Sequence, residues 1–340
     1  MNVSDAERIA GWYESQGWQA AQTIDKADEI VIVTCSVRQT AEDRVYGQIN
    51  NLAKLRMENG KLRIVLTGCM LRYPLRWLKE KMPQVDEFRR ISEFKTVPWS
   101  GIPLRGRNWK LAIRNSKTHV FVPIMEGCNQ FCSYCVVPSA RGREKSRLFE
   151  EIICEVKELA KRGYQEITLL GQNVNSYGKD LKKAKNSFAN LLKEIHQVKG
   201  IKKISFLTSN PWDLTDEIVE IISLPKIDRY LHLPIQSGDD EILKKMNRHY
   251  TTKDYIELVE KIRRQIPEIK IGTDIIVGFP GETEKQFQNT VDLCQKIGFV
   301  KAYVAMYSPR LGTAAFKLKD NISHQEKKRR WQILNDLVNH

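Results

Sequence analysis

The sequence predicts an α/β protein in two parts. Residues 1–100 read as a Rossmann-like open parallel sheet domain, and residues 118–340 as a partial (β/α)6 barrel. Three observations carry this. Short apolar strand candidates alternate with amphipathic helical stretches, the pattern of parallel strands joined by right-handed crossovers. A polar stretch with Pro98, Gly101, Pro103 and Gly106 breaks the alternation and marks a linker over 101–117. Beyond it six strand candidates recur, near Phe121, Ile167, Ile204, Leu231, Ile271 and Ala302, too few to close an eight-stranded barrel. A chain of 340 residues has room for two cores.

The elements follow in order. Ser4 to Ser15 fits a helix, with Ser4 or Asp5 as its cap and Ile9 and Trp12 on one face. Glu29-Ile30-Val31-Ile32-Val33-Thr34 is a buried strand ending at Cys35, and a helix runs from about Val37 to Leu55. Leu62 to Thr67 is a second strand, followed by Gly68 and Cys69. Cys35 and Cys69 thus sit at the tips of neighbouring parallel strands, where an open sheet gathers its chemistry. Two free cysteines there are either buried small residues or partners in a shared ligand set one thiolate short of the usual three or four. In the second part, His119 to Ile124 alternates as a strand, and Cys154 and Cys294 fall within helices, where core packing is expected of them.

The tightest cluster of reactive residues follows that strand. Cys128, Cys132 and Cys135 are spaced C-x3-C-x2-C with no fourth cysteine nearby. Three thiolates hold three corners of a [4Fe–4S] cluster and leave the fourth iron open, whereas a structural zinc would want a fourth protein ligand. Zinc and inert thiols are the other readings of the spacing. The later strands end in Gly171-Gln172-Asn173-Val174-Asn175, Thr208-Ser209-Asn210-Pro211, Pro234-Ile235-Gln236-Ser237-Gly238 and Gly278-Phe279-Pro280-Gly281-Glu282. Glycine admits a close backbone approach, and amides and hydroxyls can read a small polar ligand, so a cofactor pocket is expected on the face that carries the cysteine loop.

Lys and Arg number 55 against 41 Asp and Glu, a formal net charge of +14 that favours a polyanion, nucleic acid above all. The denser basic runs are Arg141-Gly142-Arg143, Lys182-Lys183 and Lys327-Lys328-Arg329-Arg330. Met1 to Asp5 offers neither a basic n-region nor an apolar h-region, and no apolar run is long enough to span a bilayer. A cytoplasmic protein without membrane attachment is the expectation, and cysteine usage excludes a disulfide scaffold.

These residues resemble a known family. The C-x3-C-x2-C loop at the first strand of a six-unit barrel, with Tyr134 before the last cysteine, is similar to that of the radical S-adenosylmethionine enzymes. Cys35 and Cys69 in an upstream α/β domain narrow the likeness to the methylthiotransferases. The phrases Met1-Asn2-Val3-Ser4-Asp5-Ala6-Glu7, Thr34-Cys35-Ser36-Val37-Arg38, Arg44-Val45-Tyr46-Gly47 and Leu170 to Gly178 resemble the branch acting on isopentenyladenosine beside the tRNA anticodon. Thr208-Ser209-Asn210-Pro211 and Leu231 to Gly238 agree, and argue against the threonylcarbamoyl-adenosine and ribosomal-protein branches. Three departures stand out. The family's first second-cluster cysteine lies just before the Met-Asn phrase, so that ligand and the strand before it are expected to be missing. The family's small C-terminal RNA-binding β-barrel is expected to be absent after His340. Leu311 stands where the family usually has proline.

The resemblance implies a radical methylthiotransferase that adds a methylthio group to C2 of the modified adenine. Alternatives are another tRNA adenosine, a ribosomal protein, or an iron–sulfur or zinc RNA-binding module without full activity. It implies a [4Fe–4S] cluster on Cys128, Cys132 and Cys135, a second, incomplete one on Cys35 and Cys69, and S-adenosylmethionine as cofactor. Gln172, Asn173, Ser209 and Gln236 are the candidates around the cofactor or substrate, and Arg141 and Arg143 the candidates for RNA phosphate. The implied partners are the anticodon stem-loop of tRNA and an electron donor such as a flavodoxin or ferredoxin, with the protein a monomer.

Overall fold

The computed structural model describes residues 1–94, 118–181 and 187–340. The linker expected over 101–117 and the Lys182-Lys183 run lie outside the described residues. The chain divides into two compact units. One comprises Met1–Lys117, Phe121–Pro123 and Val136–Gly142; the other comprises Thr118–Val120, Ile124–Cys135 and Arg143–His340.

In the first unit, α1 (Asn2–Ser15), β1 (Glu29–Thr34), α2 (Gln39–Asn59), β2 (Arg63–Gly68), α3 (Leu75–Lys81) and β3 (Glu87–Phe88) follow one another. The strands form a parallel three-stranded sheet in the order β1-β2-β3. The core beside it is built from Ile32 on β1, Val45 and Ile49 on α2, Ile64 and Leu66 on β2, and Leu78 on α3. Gly60 ends α2 in the left-handed conformation at φ 72°, the usual glycine stop.

The second part opens with β4 (His119–Pro123) and a short ribbon, β5 (Met125–Glu126) antiparallel to β6 (Lys145–Ser146). The turn α4 (Val137–Arg141) lies between them in sequence and groups with the first unit. Then come α5 (Phe149–Lys161), β7 (Glu166–Leu170), α6 (Phe188–His196), β8 (Lys203–Phe206), α7 (Asp216–Ile222) and β9 (Tyr230–His232). They are followed by α8 (Asp240–Lys245), α9 (Thr252–Gln265), β10 (Lys270–Val277), α10 (Glu284–Ile297), β11 (Lys301–Met306) and α11 (His324–Asn339).

The sheets run β4-β7-β8 and β9-β10-β11, with parallel registers such as Ile167↔Ile204 and Thr273↔Ala302. A parallel bridge, Ile204↔Ile227, joins β8 to the entry of β9. Six strands in sequence order therefore make the partial barrel, at the six positions where the alternation placed them. Side chains cap the helices that face it: Thr251 with Asp254 opens α9, and Thr283 with Gln286 opens α10.

One expectation is corrected. Cys154 is exposed on α5, whose inward face is Ile152, Val156 and Leu159; at 100° per residue, position 154 faces away from that stripe. Cys294 is buried as expected. The Lys327–Arg330 run is not a uniform basic face: Lys327 and Arg330 are 5% and 4% exposed. Lys327 pairs with Asp320, and Arg330 with Glu282, Glu284 and Glu326.

Candidate metal centre and cofactor site

The loop Gly127–Cys135 leaves the ribbon beyond the C-terminal end of β4 and is tied down at several points. Gly127 turns it at φ 75°, and Phe131 sits at φ 23°, an unusual conformation for an aromatic residue. The Ser133 N–H donates to Met246 O at 3.0 Å and its hydroxyl to Lys245 O at 2.8 Å, both at the end of α8. Ala315 N–H donates to Ser133 O at 2.7 Å, and Asn247 Nδ2 to Phe131 O at 3.0 Å. Tyr134 packs on Ile242, Met246, Phe279, Tyr307 and Ala315. The aromatic residue before the last cysteine therefore anchors the loop in the core while the three cysteines stay half-buried and outside any disulfide.

Burial pushes the Cys128 thiol up to about 11, with a backbone hydrogen bond from Gln130 opposing it. Cys135 N–H donates to Cys132 O at 2.9 Å, which curls the C-x2-C end into a tight turn. Among the described residues no three or more His, Cys, Asp or Glu converge as a site for a single ion. A [4Fe–4S] cluster asks for less convergence, because each thiolate binds its own iron. The donor set, three cysteines on one fixed loop, fits that group. Arg248 Nη1 lies 3.5 Å from Cys132 Sγ.

The strand ends beside the loop are laced together. Thr208 Oγ1 donates to Gly171 O at 2.7 Å, and Asn175 Nδ2 to Asn210 O at 2.8 Å. A Cβ on Gly171 would meet Met125 Cγ at 2.7 Å, so glycine lets the end of β7 pass the ribbon. Asn173 is 3% exposed and donates to Ser176 and to Asp213. Its Oδ1 is buried without a partner, an acceptor available to a ligand's ammonium group. Asp213 is the hub of this network. Burial raises its carboxyl, but hydrogen bonds from Asn210, Lys179 and Ser176 outweigh that and hold it below the ordinary carboxylate range. Gln172 is half-buried on the same loop. Gln236 is 7% exposed at φ 73°, its backbone bridging Asp274 O and the Ile276 N–H. Ser209 spends its hydroxyl on His232 O at 2.5 Å, a bond between neighbouring strand ends.

In the first unit, Thr34 pairs with Gly68 in the β1–β2 register, so Cys35 and Cys69 each follow the last paired residue. A Cβ on Gly68 would meet Thr34 O at 2.5 Å, so only glycine allows this approach. Thr34 Oγ1 donates to Thr67 O and accepts from the Met70 N–H, which locks the two tips. Ser36, Glu42, Arg72 and Tyr73 form a polar network behind them. Burial raises the Cys69 thiol, while Arg141 and its hydrogen bond oppose the rise and Cys35 adds to it.

Arg141 does not present itself to solvent phosphate. Its guanidinium is 8% exposed, pairs with Asp5 at 2.7 Å and also bonds Asn2 Oδ1 at 3.1 Å. Arg143 is exposed, with its guanidinium 5.9 Å above the Phe131 ring. Sequence reasoning missed Arg248, which follows an ordinary-looking helix end, and Asp213, which stands in a turn with no metal or motif spacing. It also missed the use of Asp5, which it took only as a helix cap.

A six-stranded partial barrel with a three-cysteine loop beyond its first strand is a radical SAM architecture, and the Radical SAM superfamily matches residues 122–294. Uncharacterized protein family UPF0004 matches residues 1–89. The tRNA-2-methylthio-N(6)-dimethylallyladenosine synthase of Thermoanaerobacter pseudethanolicus is 43% identical over 100% of this chain and 76% of its own length. That of Carboxydothermus hydrogenoformans is 43% identical over 100% of this chain and 81% of its own. The chain belongs to the radical SAM superfamily and, within it, to the family of the tRNA-2-methylthio-N(6)-dimethylallyladenosine synthases. The cofactors of that family are [4Fe–4S] clusters and S-adenosylmethionine. Among solved structures, the radical S-adenosylmethionine methyltransferase TsrM from Kitasatospora setae is similar in fold, with a TM-score of 0.61 at 15% identity over 89% of this chain and 70% of that one. The cobalamin-dependent S-adenosylmethionine radical enzyme OxsB is similar too, with a TM-score of 0.58 at 12% identity over 99% of this chain and 53% of that one.

Proposed function

We propose that this protein is a tRNA methylthiotransferase that adds a methylthio group to C2 of isopentenyl-modified adenosine beside the anticodon. The observation that carries the reading is the Cys128–Cys132–Cys135 loop, fixed at the C-terminal mouth of the six-stranded barrel in a chain whose relatives of that name match it from end to end. The three thiols would hold the radical-forming [4Fe–4S] cluster, and Cys35 and Cys69 would supply two thiolates of the second. Bound there, the first cluster would supply the one-electron reducing chemistry that acts on S-adenosylmethionine.

The chain's own residues do the rest. Asn173 Oδ1 accepts from the cofactor's amino group, and Gln172 and Gln236 border the same mouth. Ser209 acts by holding the ends of β8 and β9 together and not as a direct ligand. Arg143, over the exposed ring of Phe131, offers RNA a cation and a stacking face side by side. Arg141 instead holds Asp5 and the Cys69 thiol. The barrel walls keep water from the radical. No helix among the described residues is long and apolar enough to cross a membrane. A cytoplasmic monomer that draws electrons from a flavodoxin or ferredoxin completes the proposal.

The test is anaerobic reconstitution followed by assay. The reading expects iron-containing brown protein, 5′-deoxyadenosine on reduction, and methylthio-adenosine in an isopentenylated anticodon stem-loop. A colourless, zinc-loaded protein, or 5′-deoxyadenosine with a ribosomal protein modified in place of tRNA, overturns it.

A further inference from the structure

We propose that Arg248 sets the reduction potential of the cluster at the barrel mouth by acting on the sulfur of Cys132. The inference rests on the reading that Cys128, Cys132 and Cys135 carry that cluster. The guanidinium is fixed on every edge. Its Nη1 meets Cys132 Sγ at 3.5 Å, its Nη2 donates to Pro234 O at 3.0 Å, and its Nε donates to Tyr250 Oη at 3.1 Å. Its carbon lies 4.6 Å from the centroid of Trp212 and 5.1 Å from that of Tyr250. Such a cation is held in one place and half-buried.

Its charge balance differs from that of three other shielded guanidiniums, each of which has a carboxylate at hand: Arg147 has Glu155 at 2.6 Å, Arg141 has Asp5 at 2.7 Å and Arg330 has Glu282 at 2.8 Å. Among the described residues no carboxylate pairs with Arg248. Its neighbours are two aromatic rings, a carbonyl, a phenol and the Cys132 thiol. A cation placed so, without a counter-charge, is costly unless a negative group completes the site. A thiolate bound to iron is that group.

Tyr250 Oη gives its one proton to Ile235 O at 2.7 Å, and Arg248 Nη2 serves Pro234 O, so only the Nη1 edge faces the Cys132 sulfur. The direct effect follows from charge. Three thiolates outweigh the formal charge of an oxidised [4Fe–4S] core. One electron from a low-potential donor adds a further negative charge, with no bond made and no proton moved. A fixed cation and an N–H aimed at a ligand sulfur both favour the reduced state, the levers that tune such clusters. Arg248 therefore brings the cluster within reach of its donor.

The experiment is an anaerobic redox titration of reconstituted full-length protein, read by the electron paramagnetic resonance of the reduced cluster. Dithionite is the reductant, and Arg248→Gln and Arg248→Lys are the variants. With iron content at the wild-type level, Arg248→Gln is expected to lower the reduced-to-oxidised ratio at a fixed potential about tenfold, about 59 mV for one electron. Arg248→Lys, which keeps the charge, is expected to lose less than half of that. An unchanged titration in Arg248→Gln overturns the proposal. So does failure of both variants to hold iron that the wild type holds, which assigns Arg248 to assembly alone. A wild type without a reducible cluster signal overturns the underlying assignment of the three cysteines instead.

Discussion

One buried oxygen, Asn173 Oδ1, has no partner while both donors of the same amide are engaged. An unsatisfied acceptor of this kind costs about 1–3 kcal/mol unless a ligand completes it. Asn173→Ala is therefore expected to weaken S-adenosylmethionine binding roughly 10-fold, in line with the loss of one charge-assisted hydrogen bond; calorimetric titration of reconstituted protein checks it. Cys132→Ser should remove the iron held at the barrel mouth, read as iron and sulfide per chain, because a hydroxyl is a poor substitute for a thiolate. Arginine was the residue type hardest to place from sequence. Arg141 and Arg143 stand two positions apart in one basic phrase, yet one is sealed against Asp5 and the other lies open over Phe131. Nothing in the phrase separates them, because the difference lies in which carboxylate the fold brings near.

Elements were more legible than residues, for a physical reason. The run Glu29–Thr34 was placed at its observed bounds because an apolar β-branched run between polar stretches has few other fates. The second strand was placed one residue early: Leu62 is buried, at 6% exposed, but the ladder begins at Arg63. The ribbon of Met125–Glu126 with Lys145–Ser146 was not foreseen, since two-residue strands carry no period. Glycines at strand ends were read as ligand-facing, but Gly238 serves packing. A Cβ there would meet Thr290 Cα at 2.5 Å and Asn289 O at 2.7 Å, both backbone of α10. Gly238→Ala should destabilise the fold by roughly 1–3 kcal/mol, the usual range for overpacking, and denaturant melts measure it. The network at Asp213 adds a pH dependence. Its folded carboxyl titrates below the ordinary value, so its contribution is complete above about pH 4 and is lost as pH falls through the depressed value. Acid titration of stability should flatten at its low end in Asp213→Asn.

At the scale of the whole molecule, the net charge of +14 speaks to how the protein meets its substrate. The internal pairs of Arg147, Lys327 and Arg330 with carboxylates are neutral and leave that excess to the other basic residues. That excess is expected to make anticodon stem-loop binding fall linearly in log–log terms with salt. Arg143→Ala should reduce that slope by about 1, in a filter-binding series across salt concentrations. The six barrel strands were legible from alternation, whereas contacts between residues far apart in sequence, such as Arg248 with Cys132, were not.

The cysteine loop is shaped by bonds between Ser133, Met246, Lys245 and Ala315, all of them protein to protein. Iron–sulfur centres are the parts of an enzyme that oxygen attacks first, and a socket moulded by its own metal collapses when the metal leaves. A socket held by its neighbours is expected to keep its form through such damage, so that iron and sulfide alone restore it.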